Sequence, residues 1–199
     1  GDDVALDISD YDMQDDDNIN QIRGAISLKK HPDYVKAGFQ NDIAVIEFDE
    51  PVPLGENIKT AWLPPPHHEL EPGTTLTVYG WGRLEYSGSR PSVLQTVQIP
   101  VMDYDECQSA YHTKIRRSEM ICAGGEEGKD ACIGDSGSGL LARMDNEYVL
   151  VGTVSFGKKC ALPDVPGVYS KVSTYVDWIY EQTRNASCQP CIASNENFD

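Results

Sequence analysis

The chain has 199 residues and a formal net charge of −16, from 16 Lys and Arg against 32 Asp and Glu. That charge argues against binding nucleic acid through phosphate neutralisation or anionic membrane through a basic face, and it favours cationic substrates or partners. A hydrophobic content of 40% is enough for a buried core in one large domain or two small ones, and no run of residues approaches transmembrane length.

The chain opens on GDDVALDISDYDMQDDD, with eight aspartates in seventeen residues. A solvated loop or a disordered end accounts for such an excess of like charge; a calcium loop, built from converging oxygens, is the other reading, although the D-x-[DN]-x-[DN]-G spacing is absent. This opening has none of the character of a signal peptide, so any secretion signal is expected upstream of Gly1 or already removed. Further along, IAVIEF, TLTVYGW and YVLVGTVSF are short apolar runs bounded by turn residues, and 17 glycines and 12 prolines are spread without a repeat. This spacing predicts an all-β domain of many short strands. One helix is expected near the end, in VSTYVDWIYEQTRN, starting at a Ser/Thr cap with Tyr175, Val176, Ile179 and Tyr180 on or near one face.

All six cysteines lie in the second half: Cys107, Cys122, Cys132, Cys160, Cys188 and Cys191. Only the last two have the short spacing of a metal pair, so the other four read as loop staples in an oxidising, extracellular compartment. For CQPC itself, a local disulfide or bridges to another segment are expected ahead of a redox or zinc site. The sequon Asn185-Ala186-Ser187 fits a secreted glycoprotein.

The stretch KDACIGDSGSGLL holds Ser136 among an acid and three glycines. Around it, CQSAYHTKIRRSEMICAGGEEGKDACIGDSGSGLL resembles trypsin-like serine proteases of the chymotrypsin fold. VGTVSFGKKCALPDVPGVYSKVSTYVDWI resembles that family's last two strands and closing helix. Upstream, HPDYVKAGFQNDIAVIEFDEPV and LTVYGWGRL match further family signatures in the right order, so the resemblance runs to about Arg184. An α/β-hydrolase is the weaker alternative, because Ser138 stands where G-x-S-x-G requires glycine.

The resemblance implies an all-β fold of two Greek-key six-stranded β-barrels, the first incomplete in this chain, with a C-terminal α-helix. Residues 1–65 would be the remainder of the first barrel, with an acidic loop at 1–20. Residues 66–75 would connect the barrels, 76–172 would form the second, 173–185 the helix, and 186–199 an extension with no inherited role. The implied activity is secreted endopeptidase cleavage after Arg or Lys through an acyl-enzyme. Ser136 would be the nucleophile, and the backbone N–H groups of Gly134 and Ser136 the oxyanion donors. Asp42 would be the acid that orients an imidazole. Asp130 would form the floor of the primary pocket, with Gly157 and Gly167 as its walls. Ser155, Phe156 and Gly157 would run antiparallel to the substrate. Cys107–Cys122 and Cys132–Cys160 match two family bridges. A third would join the positions of Leu76 and Ala142, where neither half is present. Asp135 corresponds to the residue that pairs with a processed N-terminus. Ile133, apolar at the pocket mouth, would favour apolar substrate neighbours.

The mechanism needs a histidine between Ser136 and Asp42, since a free serine hydroxyl is a poor nucleophile. None of His31, His67, His68 and His112 occupies the matching position. The base is therefore expected from an N-terminal segment or separate N-terminal chain carrying Ala-Ala-His-Cys, and this chain alone is expected to be inactive. The alternative is a non-catalytic homologue that binds or regulates. No cofactor is required, calcium at the acidic loop is an option, and protein inhibitors are possible partners.

Overall fold

The computed structural model describes residues 4–14, 21–144 and 147–194. Strands β1 (Ala5–Ile8), β2 (Gln21–Lys30) and β3 (Ala44–Phe48) form an antiparallel three-stranded sheet. A second antiparallel sheet holds β4 (Thr75–Gly80), β5 (Gln95–Pro100), β6 (Met120–Gly124), β7 (Gly139–Met144), β8 (Glu147–Phe156) and β9 (Pro166–Lys171). Its order is β5-β4-β7-β8-β9-β6. An antiparallel bridge from Val101 to Ala123 and a bond from Met102 N to Cys122 O at 2.9 Å join its two ends, so the sheet curls back on itself. The all-β expectation, with a second barrel, part of a first and a C-terminal helix, matches this architecture.

The core belongs to the second sheet. Leu76, Val78, Ile99, Leu140, Val149 and Tyr169 alternate inward along their strands and are fully or nearly fully buried. Among the described residues, none before Leu63 is buried, and Ile22 and Ile26 on β2 are 69% and 65% exposed. Three strands with one apolar face cannot cover that face themselves. Leu76 and Ala142, where the third bridge would lie, are direct register partners between β4 and β7. An apolar pair at the barrel centre occupies that place.

Disulfides join Cys107 to Cys122 and Cys132 to Cys160. The first ties β6 to α1 (Tyr104–Ala110), a helix that the sequence reading did not anticipate. Asp103 caps it, its Oδ1 accepting from Asp105 N at 2.8 Å and Glu106 N at 3.4 Å. The C-terminal helix α2 spans Val176–Thr183, after a 3-10 turn over Val172–Thr174. The expected Ser/Thr cap is not what starts it. Ser173 Oγ donates to His68 O at 2.9 Å and Thr174 Oγ1 donates to Ser118 O, so both hydroxyls are engaged with the connection and the barrel.

The tail is more than an appended extension. Leu63 N donates to Cys191 O at 2.8 Å and Ala193 N donates to Leu63 O at 2.9 Å, which buries Ala193 against the core. Cys188 and Cys191 are exposed and unpaired, so neither the local disulfide nor a bridge to another described segment is formed. Much of the acidic loop, including Asp15, Asp16 and Asp17, lies outside the described residues, as do Asp2 and Asp3. Among the described residues no cluster of acids, histidines and cysteines could hold a metal ion. No helix is long and apolar enough to cross a membrane.

Candidate active site

The turn that carries Ser136 is shaped by its neighbours' hydrogen bonds. Asp135 N donates to Cys132 O at 3.0 Å, Gly137 N to Val154 O at 2.9 Å and Ser138 N to Asp135 O at 2.8 Å. The N–H groups of Gly134 and Ser136 make no such bond within the described residues, which leaves both for a ligand. Gly134 sits at φ +110°, where a side chain would be strained. The Asp135 carboxylate faces inward, accepting from Gly82 N at 2.8 Å and Cys132 N at 2.9 Å. A Cβ on Gly80 or Gly82 would collide with it at 2.0 or 2.4 Å. Glycine at both positions lets the carboxylate hold the turn from below while Ser136 stays exposed.

Asp42 lies on the other side of the site, just before β3. Ser155 Oγ donates to its Oδ2 at 2.7 Å and Ser170 Oγ donates to its backbone oxygen at 2.7 Å. Two hydroxyls from β8 and β9 thus orient an acid from the first sheet. Asp42 and Ser136 face a common cleft of about 480 Å3, whose walls include Ile43, Ala44, Gly137 and Val154. No histidine lines it. His31 instead packs against Tyr175 and Trp178, with ring centroids at 5.4 and 5.0 Å. His68 lies in the connection, its pKa lowered chiefly by burial. The cleft between acid and serine is open space.

A second recess of about 150 Å3 starts at Ser136 and is walled by Ser155, Phe156, Gly157 and Gly167, with the Cys132–Cys160 disulfide alongside. Phe156 is fixed there by stacking on Phe39 at 5.0 Å and by an edge contact with Tyr111 at 5.8 Å. Asp130 does not line the open part of this slot; it lies behind Gly167. A Cβ on Gly167 would meet Tyr169 OH at 3.0 Å and Asp130 Oδ1 at 3.1 Å. Both oxygens are buried without a hydrogen-bond partner, whereas Asp130 Oδ2 accepts from Ala161 N at 3.1 Å. Burial pushes the Asp130 carboxyl up to about 6, against the lowering effect of the Ala161 and Ala131 N–H groups. A buried, unsatisfied carboxylate oxygen costs free energy until a donor reaches it, and a cation satisfies it best.

Strand β7 ends its pairing with β8 at Gly139 opposite Thr153, so Ser155, Phe156 and Gly157 continue past it with one edge unpartnered by β7. This open edge can take an added strand. Asn185, in the sequon, lies exposed just beyond α2.

The structure thus brings Asp42, Ser136 and Ser155 to one cleft, with Gly134 on the Ser136 turn, and Phe156, Gly157 and Gly167 to the adjoining slot, with Asp130 behind Gly167. Sequence reasoning had assigned Ser155 to substrate contact alone and had not singled out Ser170 or Tyr169. Ser155 and Ser170 reach Asp42 across 113 and 128 residues of chain, and no local pattern could signal that.

The sequence model of the Trypsin family matches residues 2–179. The chain is 44% identical over 155 residues to the serine protease filzig of Drosophila melanogaster, covering 75% of this chain and 9% of that protein. It is 38% identical over 174 residues to the proclotting enzyme of Tachypleus tridentatus, covering 83% and 46%. It is also 40% identical over 159 residues to the inactive CLIP domain-containing serine protease A3 of Aedes aegypti, covering 75% and 33%. The matched stretch therefore spans less than half the length of each of these relatives. By the family match across most of its length, borne on the turn, cleft and slot described above, this chain belongs to the trypsin family of serine proteases.

Proposed function

We propose that this chain carries the nucleophile and specificity slot of an extracellular endopeptidase that cleaves polypeptides after Arg or Lys. The observation that carries this reading is the pair of unsatisfied oxygens, Asp130 Oδ1 and Tyr169 OH, behind Gly167 at the end of a slot that opens at Ser136. A guanidinium or ammonium on a long aliphatic stem matches such a slot: the stem fills its apolar walls and the head group meets the carboxylate.

In the reaction, Ser136 Oγ attacks the carbonyl carbon while its proton passes to an imidazole in the Asp42 cleft. The carbonyl oxygen, now negative, is held by the Gly134 and Ser136 N–H groups, a contribution of about 3 to 4 kcal/mol per donor in comparable sites. The imidazolium, stabilised by Asp42, returns the proton to the leaving amine. Water then repeats the sequence on the acyl-enzyme and releases Ser136. The imidazole comes from polypeptide outside these 199 residues, a reading supported by the absence of histidine from the cleft walls. Without that polypeptide the chain is inactive. The two disulfides support an extracellular setting, and exposed Asn185 is available for glycosylation. No cofactor enters these steps; calcium at the acidic loop would act only on stability. Protein inhibitors that present an Arg or Lys to the slot would compete with substrate.

The second reading, a binding or regulatory homologue without turnover, is favoured by the similar protein named as inactive. The two separate when the complete natural protein is incubated with a peptide mixture and the new C-termini are read by mass spectrometry. New termini at Arg and Lys support the endopeptidase; no new termini in complete, processed material support the homologue.

A further inference from the structure

We infer that Arg90 is a specificity residue for the leaving-group side of the cleaved bond, where it selects a substrate carboxylate at the first or second residue beyond that bond. This inference rests on the endopeptidase reading. A Cβ built on Gly134 would lie 3.0 Å from Arg90 Nη2 and 3.1 Å from its Nε and Cζ, so the guanidinium lies flat against the oxyanion glycine. Arg90 therefore borders the glycine whose N–H faces the oxyanion position.

Neither Arg90 nor Gly134 lines the slot, which takes the side chain before the cleaved bond. The carbonyl whose oxygen the Gly134 N–H would hold belongs to the cleaved bond itself, so the first residues beyond that bond pass within reach of Arg90.

The loop that carries Arg90, between β4 and β5, is pinned at both ends. Arg83 N donates to Ile133 O at 3.0 Å, next to Gly134, and Leu94 N donates to Tyr11 O at 2.8 Å. Met13 N donates to Ser92 O at 3.1 Å, so the acidic segment clamps the loop two residues from Arg90. Arg90 is exposed and makes no ion pair or hydrogen bond among the described residues, although acids outnumber bases two to one in this chain. A guanidinium unpaired among the described residues, carried on a pinned loop beside the nucleophile, is a ready partner for a carboxylate, with bidentate geometry available.

The experiment uses the complete natural protease and peptides that share one sequence up to the Arg before the cleaved bond. They differ in placing Asp, Ala or Lys at the first or second position beyond it. A matched arginine nitroanilide, with no residue beyond the bond, is run in parallel. The expected result is an Asp over Lys preference in kcat/KM of about threefold to tenfold at one of the two positions, weakening with added salt. The preference should persist in Arg90→Lys, collapse in Arg90→Ala and reverse in Arg90→Glu. Because the readout is a ratio within each variant, a general loss of activity cancels. Hydrolysis of the nitroanilide without an Asp preference, or a preference unchanged in Arg90→Glu, overturns the inference and leaves the endopeptidase reading standing. No hydrolysis of the nitroanilide overturns both.

Discussion

Ser155 Oγ donates a 2.7 Å hydrogen bond to Asp42 Oδ2, joining the last residues of β8 to the acid that precedes β3. The same serine begins the open edge beside the slot, so under the proposed function one residue would link orientation of the acid to placement of substrate. Its side chain serves Asp42, while its backbone lies past the end of the β7 pairing.

Ser155→Ala separates these roles. Hydrogen bonds to charged groups contribute about 1.5 to 3 kcal/mol, so kcat of the complete protease should fall roughly 10- to 100-fold while KM for an arginine amide stays close to wild type. A raised KM with unchanged kcat would assign Ser155 to substrate binding alone.

The Asp130 carboxyl, pushed up to about 6 by burial, predicts a pH signature for ligand binding. Benzamidine, an aryl amidinium, requires the ionised carboxylate. Its affinity for the complete protein should be constant above pH 7 and fall towards tenfold per unit below pH 6. The effect on folding has the opposite sign. The native state binds this proton more tightly than the unfolded chain, so the Asp130 contribution favours folding at low pH and is lost as pH rises from about 4 through 6. Calorimetric titration across pH 5 to 8 reads the binding limb. Affinity that ignores pH in this range would remove Asp130 from the cation site.

Two glycines of the slot should respond unequally. A Cβ on Gly167 meets Tyr169 OH and Asp130 Oδ1 at 3.0 and 3.1 Å, both on buried groups, whereas a Cβ on Gly157 meets only Lys159 O, at 3.4 Å. Gly167→Ala should cost about 1 to 3 kcal/mol in stability and weaken benzamidine at least tenfold; Gly157→Ala should do less of both. Thermal melts and amidine titrations of the two variants check the order, and equal effects would contradict this account of the slot wall.

Leu76 and Ala142 face each other in register, and opposed Cα atoms in antiparallel pairs are about 4.5 to 5.5 Å apart, within disulfide range. The double variant Leu76→Cys with Ala142→Cys should form a bridge. The oxidised form should melt several degrees above the reduced form of the same protein, an upper bound of about 4 kcal/mol following from the long loop it closes. Failure of the two thiols to pair under mild oxidation would contradict the β4–β7 register.

The strand pattern, the C-terminal helix and the two disulfides were legible because each has a local or family-specific signature: short apolar runs, a 3.6-residue period, cysteines in known order. NDIAVIEF and GDSGSG singled out the acid and the serine, and the fold sets both on one cleft. What escaped was set by distant contacts. Asp103 caps α1, but that helix has only seven residues and too weak a period to stand out. Ser173 and Thr174 looked like a cap because hydroxyls before a helix usually are, yet tertiary partners claimed them. The tail gave no hint that Ala193 would be buried beside Leu63, and Arg90 was one cation in a polar loop until the fold laid it on Gly134.

The central claim is that Ser136 is an activated nucleophile. A fluorophosphonate probe applied to the complete, processed natural protein, followed by peptide mapping, tests it most directly. The account predicts covalent labelling at Ser136, suppressed by benzamidine and lost in Ser136→Ala. An intact, correctly processed protein that leaves Ser136 unlabelled would contradict it.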